Sequence, residues 1–331
     1  MIIVTGGAGF IGSYLVYELN RRGLDNIYVV DHLGDESKWL NLRGLKYREV
    51  ISPEEFSTEE VRNRFKRADA IFHMGACSAT TEKNVDFLYK NNFQYSVMLF
   101  DFCAYNNINF YYASSAATYG LGEHGYVDDH ALVPMLRPLN PYGYSKQLFD
   151  LHVLDQKHFP PCWNGFKFFN VFGPNEYHKH QMKSVVVQAF EQIKNTGVVK
   201  LFESNKPEIK HGEQARDFIH VKDVCKVMLA FFDAKNAQNN GIYNLGTGRA
   251  RTFKDLVTAT FKSMHKEPRI DFIPLPETLR TQYQYYTQAS MQKFSTHFPN
   301  MVFSSLEDSI QHYVESYLLH TNPYTDIEVI R

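Results

Sequence analysis

Little in this chain suits a partner of extreme charge or an oxidising compartment. Its 331 residues carry a formal net charge of -1. That balance lacks the basic footprint of proteins that bind nucleic acid or an anionic membrane, so neither partner is expected. Four cysteines occur, and Cys77, Cys103, Cys162 and Cys225 show no Cys-x-x-Cys spacing. They read as reduced thiols of a cytoplasmic protein rather than a disulfide framework. The 14 histidines are scattered, and no metal site is expected. No run approaches the ~20 apolar residues that cross a bilayer. No basic and apolar leader precedes the first strand, so no signal peptide is expected. Low-complexity tracts and internal repeats are also missing.

What is present is alternation. Met1–Thr5, Asn26–Asp31, Ala70–Met74, Phe110–Ser114 and Phe166–Phe169 read as buried strands. Helical stretches separate them at Phe10–Arg22 and near Pro53–Lys66, Asn84–Asn106 and Pro141–His158. Such alternation predicts an α/β fold, a Rossmann-type doubly wound parallel sheet whose ligands gather at the strand C-terminal ends. After Phe169 the texture changes. Asn170–Met182, Leu201–Ala215 and Ile273–Tyr286 are polar or turn-rich and predict a smaller, discontinuous α/β substrate lobe. Asp217–Phe232 and Gly241–Leu245 are expected to return to the sheet. The dinucleotide domain is therefore expected over 1–170 and 217–249, and the substrate lobe mainly over 171–216 and 250–331.

Two motifs carry chemistry. Thr5-Gly6-Gly7-Ala8-Gly9-Phe10-Ile11-Gly12 follows the first strand and opens the first helix. Gly6, Gly9 and Gly12 permit a tight turn and close approach of a pyrophosphate to the helix N-terminus. Asp31 ends the second strand, where an acid binds the adenosine ribose of NAD. His32, Lys38 and Arg43 follow and suit a 2′-phosphate, so the residues leave NAD and NADP both open. The small residues of His73-Met74-Gly75-Ala76-Cys77-Ser78 let backbone approach a flat ligand, and Asn91 or Asn92 is placed to anchor that loop. The second motif is Tyr142 with Lys146, four apart on one helix face. An ammonium there lowers a phenol that starts near ~10, so that Tyr142 can exchange a proton with a carbinol.

Together with Ser114-Ser115, these motifs resemble the extended short-chain dehydrogenase/reductase family, which acts on nucleotide sugars. The likeness covers nearly the whole chain. Tyr112 to Gly120, Asn170-Val171-Phe172-Gly173-Pro174, Arg216 to Val221 and Asn244 to Gly248 match further landmarks. The resemblance implies that Ser115 bonds the reacting oxygen, Tyr142 is the acid/base, and Lys146 lowers its pKa and binds the nicotinamide ribose. Dehydrating members place Asp and Glu directly after the residue equivalent to Ser115. Ala116 and Ala117 stand there and transfer no proton, which argues against dehydration.

Gly75 to Glu82, Asn91 to Ser96, His178-Lys179, Leu201-Phe202-Glu203 and Tyr283 to Ala289 resemble an epimerase branch of the family. Redox inversion of a carbon asks for proton transfer on both of its faces, and the resemblance puts the second acid/base at Lys179. It implies NADP, with NAD the alternative, held by Gly6, Gly9, Phe10, Ile11, Gly12, Asp31, His32, Lys38, Met74, Gly75, Ala76, Cys77, Ser78, Asn91, Lys146, Val171 and Lys179. It implies a nucleotide sugar held by Asn170, Gln181, Gln188, Phe202, Glu203, Ser204, Asn205, Arg216 and Tyr283, with the Arg216 fork suited to pyrophosphate. A homo-oligomer is implied too, a homopentamer in the most similar branch. Three positions depart from the pattern: Pro53 where members carry Lys, His32 where Asn is usual, and Met74 where an acid is found.

Overall fold

A computed structural model of the chain describes residues 1–34, 37–277 and 283–328; residues 278–282 of the expected Ile273–Tyr286 loop lie outside these. The strands are β1 (Ile2–Thr5), β2 (Ile27–Val30), β3 (Glu49–Ile51), β4 (Ala70–His73), β5 (Asn109–Ser115), β6 (Trp163–Phe168), β7 (Asn170–Phe172), β8 (Val199–Phe202), β9 (Ala215–His220), β10 (Gly241–Leu245), β11 (Ala250–Thr252) and β12 (Ile270–Ile273). The longer helices are α1 (Phe10–Arg21), α2 (Tyr95–Asn106), α3 (Pro141–Leu154), α4 (Val185–Thr196), α5 (Val221–Ala234), α6 (Phe253–Ser263) and α7 (Leu306–Tyr313).

Seven parallel strands form the central sheet in the order β10-β6-β5-β4-β1-β2-β3. β1 pairs with both β2 and β4. The direction of sheet growth therefore reverses beside β1, which opens a crevice at the C-terminal ends of β1 and β4. Both faces are covered, as the period-two pattern requires. Ile2 and Val4 pack with Leu15, Val16 and Leu19 of α1 and with Met228 and Phe231 of α5. Ile3 points the other way, into a core with Leu99 and Phe100 of α2 and Phe149 and Val153 of α3. A separate core joins α4, α6 and α7 through Val186, Phe190, Val257, Phe261, Ile310 and Tyr313. Beside it lie two small sheets, β11-β9-β7 and β12-β8.

Several expected elements differ in detail. The helix expected near Pro53–Lys66 is two short ones, Pro53–Phe56 and Glu59–Asn63, because Thr58 caps a new start by accepting the Val61 N–H. Asn84–Asn106 contains a widened π-helical turn over Tyr89–Gln94. Only β10 and α5 return to the Rossmann layers. β9 instead pairs with β7 and β11. The cause is a tight reversal after β6, where the Val171 N–H bonds the Phe169 carbonyl at 3.0 Å and turns the chain out of the main sheet.

β5, β6 and α3 are joined by a buried ion pair. Lys167 Nζ lies 2.6 Å from Asp150 Oδ2, with side-chain exposures of 1% and 0%. The Asp150 carboxylate also accepts Tyr112 Oη at 3.0 Å and Ser114 Oγ at 2.7 Å. Lys167 donates a second bond to Thr118 Oγ1 at 2.7 Å. Removing one partner strands the other charge in the core. Lys167→Met is expected to destabilise the protein by about 3–5 kcal/mol in urea unfolding; a loss under roughly 1 kcal/mol, the scale of an exposed pair, contradicts this account.

Candidate active site

The glycine turn is shaped by contact. Gly6 has φ +65°, and a Cβ there would meet Gly75 N at 2.5 Å. A Cβ on Gly12 would lie 2.1 Å from the Gly6 carbonyl oxygen. Side chains are thus excluded where the loops after β1 and β4 touch. α1 begins at Gly9 with no side-chain cap and no acid in its first turn. Its first N–H groups are left for an anion, and the helix dipole favours one. Asp31 Oδ2 accepts the Ala8 N–H at 2.9 Å, and Oδ1 accepts Lys38 Nζ at 2.5 Å. This bare turn, uncapped helix and acid at the end of β2 fit a dinucleotide.

The loop after β4 is held from behind. Asn92 sits fully buried in the widened turn. Its Oδ1 accepts the Cys77 N–H at 2.9 Å, and its Nδ2 donates to the Cys77 carbonyl and to Ser145 Oγ, both at 3.0 Å. Asn91 was expected as the cofactor-side residue. It instead donates to Asn92 Oδ1 at 2.9 Å, so the anchor is its neighbour.

His73 extends the same network. Ser96 Oγ donates to the Asn92 carbonyl at 2.6 Å. It can then accept from His73 Nε2 at 2.8 Å. Nδ1, 2.6 Å from Thr5 Oγ1, is left as the acceptor, which assigns a neutral tautomer. Burial pulls this histidine down to about 3, and the Lys146 charge adds to the effect.

α3 is started by Asn140, which accepts the Gly143 N–H at 2.8 Å, with Pro141 at the first helical position. The second residue is Tyr142. Burial pushes its phenol up, and a hydrogen bond from Ser115 opposes this. Lys146 was expected to lower the phenol. Its Nζ donates instead to the Ala113 carbonyl at 2.9 Å, and it is not among the groups that shift Tyr142. Burial brings Lys146 itself down to about 8, with Asp150 opposing. Lys179 lies in the loop between β7 and α4, its Nζ 5.5 Å from the centre of the Phe10 ring. Burial pulls it down and Glu176 pulls it back.

These groups share one cleft of about 270 Å³. Of the expected residues, Gly6, Gly9, Phe10, Ile11, Gly12, Asp31, Lys38, Met74, Gly75, Ala76, Ser78, Tyr142, Lys146 and Lys179 line it. Ala113, Ser114, Phe168 and His178 line it unannounced. Cys77, Asn91, Ser115 and Val171 do not line it, and His32 is exposed with Nε2 3.2 Å from Glu54 Oε2. A larger cavity of about 980 Å³, on the outer side of α2, shares none of these residues.

The expected sugar-nucleotide residues are gathered less tightly. The buried Arg216 guanidinium lies 5.5 Å from both the Phe253 and Tyr283 ring centres. Asp217 does not pair with it. That carboxylate accepts the N–H groups of Thr247, Gly248 and Ala289 instead. Among the described residues no carboxylate pairs with Arg216, which leaves a buried cation suited to an anion. Phe202 meets Tyr283 edge-on at 6.5 Å. Tyr283 also lines a cavity of about 580 Å³ with Thr80, Thr81, Ala117 and Gln284. Gln188 turns to the backbone carbonyls of Gln181 and Lys183. Asn170, Gln181 and Asn205 are exposed. Glu203 and Ser204 are half-buried, with their backbone N–H groups bonded to Ile273 O and His211 Nδ1.

Residues 2–246 match the NAD dependent epimerase/dehydratase family, and the chain belongs to it. The ADP-L-glycero-D-manno-heptose-6-epimerase of Fusobacterium nucleatum is 46% identical over 333 residues, covering 98% of this chain and 100% of the relative. Its namesake in Nitratidesulfovibrio vulgaris is 47% identical over 325 residues, with the same coverage. The crystal structure of Helicobacter pylori ADP-L-glycero-D-manno-heptose-6-epimerase aligns with a TM-score of 0.77 at 27% identity, covering 95% of each chain.

The buried His73 makes the fold acid-sensitive. Its folded pKa lies below the unfolded value near ~6.5. Its contribution is therefore complete above that value and is lost as pH falls toward the folded one. At about pH 5 it removes ~2 kcal/mol. Urea midpoints at neutral and acid pH are expected to fall less steeply in His73→Asn than in the parent chain. Equal slopes contradict this.

Proposed function

We propose that this chain converts ADP-D-glycero-D-manno-heptose to ADP-L-glycero-D-manno-heptose by transient oxidation at carbon six, as a step in lipopolysaccharide core precursor synthesis. The observation that carries this reading is that Tyr142 and Lys179, from separate elements, line one cleft with the glycine turn. The nicotinamide, when bound, takes up one hydride and gives the same hydride back. The protein's task is then the proton. Oxidation of the carbinol releases a proton from its oxygen, and re-reduction of the ketone on the opposite face requires one. Tyr142, bonded to Ser115, serves one face and Lys179 the other. Ala116 and Ala117 offer no group for eliminating water.

Gly6 to Gly12 would hold the dinucleotide, with Asp31 and Lys38 supplying the groups for its adenosine ribose. Arg216 receives the ADP pyrophosphate, and Phe202 and Tyr283 support the adenine. The reading includes a cytoplasmic homo-oligomer, a homopentamer in the most similar branch, and Tyr105 of α2, which is 80% exposed, supports such an assembly. For the cofactor we propose NADP, supported by Lys38 at the cleft. NAD is the second reading, favoured by Glu54 beside His32, where a 2′-phosphate would be repelled.

Purified protein is expected to invert carbon six without added reductant and with no net change in nicotinamide absorbance. Failure to change carbon six ends the proposal. Tyr142→Phe and Lys179→Met are each expected to lower kcat by about 100-fold or more. Mass analysis of the nucleotide released on denaturation is expected to give NADP; NAD would instead assign the selectivity to Glu54 and Asp31.

A further inference from the structure

We propose that Glu176 is a positioning residue for Lys179: its buried carboxylate locks the loop between β7 and α4 and stands as the counter-charge to the Lys179 ammonium. This rests on the reading of Lys179 as the second acid/base.

Glu176 is 1% exposed. Oε1 accepts the Gly173 N–H at 3.1 Å, Ser184 Oγ at 2.8 Å and Tyr313 Oη at 3.2 Å, and Oε2 accepts the Ser184 N–H at 2.5 Å. One carboxylate thus joins both ends of the loop to α7. All four donors are neutral, and among the described residues no Lys or Arg is in ion-pair contact with it. A buried charge costs several kcal/mol unless compensated. A loop tie alone has no need of a charge, since a neutral acceptor ties the same ends at lower cost.

The loop between these ends is strained. His180, directly after Lys179, has φ +47° and ψ -118°. Asn175 has φ +77°. Such conformations cost about 1–3 kcal/mol each and persist only where the surroundings over-determine them. The Glu176 bonds are one such constraint. The Asn175 side chain is another, donating to Ser13 Oγ at 2.9 Å and Thr325 Oγ1 at 2.8 Å. Lys179 sits inside this clamp, its backbone N–H on the Glu176 carbonyl at 3.1 Å.

The charges that face Lys179 can be sorted. Lys38 is paired with Asp31 across the cleft. Tyr142 and Lys146 face it from α3, and neither supplies an anion at neutral pH. His178 and His180 flank it in its own loop, and burial holds His178 down to about 4, hence neutral. Among the described residues Glu176 is the anion that acts on Lys179 against the pull of burial. A lysine that both takes and gives a proton in one turnover works best with a pKa near the operating pH.

The test is competitive acetylation of the holoenzyme across pH, with the Lys179 peptide followed by mass spectrometry. In Glu176→Gln the labelling midpoint is expected to fall by about one unit. The limb of the kcat–pH profile that Lys179 sets should move with it, with KM for the nucleotide sugar unchanged. Glu176→Asp, which keeps the charge, is expected to restore the midpoint. An unmoved midpoint in folded Glu176→Gln overturns the proposal. If that variant does not fold, Ser184→Ala keeps the carboxylate and removes one tether. It is expected to lower kcat about fivefold, equivalent to one ordinary hydrogen bond, and an unchanged kcat overturns the positioning. Full turnover in Lys179→Met would remove the two-base reading, while the labelling midpoint still reports on Glu176.

Discussion

The structure depends first on the buried contact between Asp150 and Lys167. Three elements meet there: β5 through Tyr112 and Ser114, β6 through Lys167, and α3 through Asp150. Taking two charges out of water is tolerable only when nearly every lone pair and proton finds a partner. Here the carboxylate has three donors, and the ammonium adds Thr118 Oγ1 and the face of the Tyr119 ring, 5.1 Å away. Such a contact fixes relative position more than it adds stability. Asp150 lies one helical turn beyond Lys146, and Ser114 precedes Ser115 on β5. The register of α3 against β5 is therefore set by a charge pair beneath both.

Asn92 fixes the other coordinate. It holds both backbone groups of Cys77 and reaches Ser145, which bonds the Tyr142 carbonyl at 2.7 Å. Loop, widened helical turn and α3 are thus tied to one another. Side-chain amides suit this role because one group both donates and accepts. The extra residue of a π-type turn is what points Asn92 inward. Periodicity cannot reveal that, which is why Asn91 and Asn92 were indistinguishable in the sequence.

The same limit explains what was legible. β1, α1 and the glycine turn stood out because their constraints are local: three glycines, a β-branched run and an acid at the end of β2. Tyr142 and Lys146 were legible as a pair for the same reason. Lys146 bonding to the Ala113 carbonyl was not, since it depends on how closely α3 lies on β5. β9 leaving the main sheet was missed because its pairing follows from one reversal at Phe169–Val171, with no mark in composition. Arg216 and Asp217 are adjacent in sequence, which made an ion pair plausible. In a strand, successive side chains point to opposite faces. Asp217 therefore meets the N–H groups of Thr247, Gly248 and Ala289, and Arg216 faces the rings of Phe253 and Tyr283.

That separation has a consequence for how the two lobes divide their work. The Rossmann layers contain two close charge pairs, Asp150 with Lys167 and Asp31 with Lys38. The second lobe leaves a buried cation at Arg216 without a carboxylate among the described residues, flanked by two aromatic faces. Aromatic faces attract a guanidinium but neutralise little of its charge. Arg216 therefore keeps most of its field for an incoming anion, and its burial makes that field strong. A diphosphate is the kind of anion this arrangement suits, because two phosphate oxygens can meet the guanidinium fork at once. On the proposed function, the paired charges about the sheet would hold the cofactor side in place, and the charge of Arg216 would meet the nucleotide sugar.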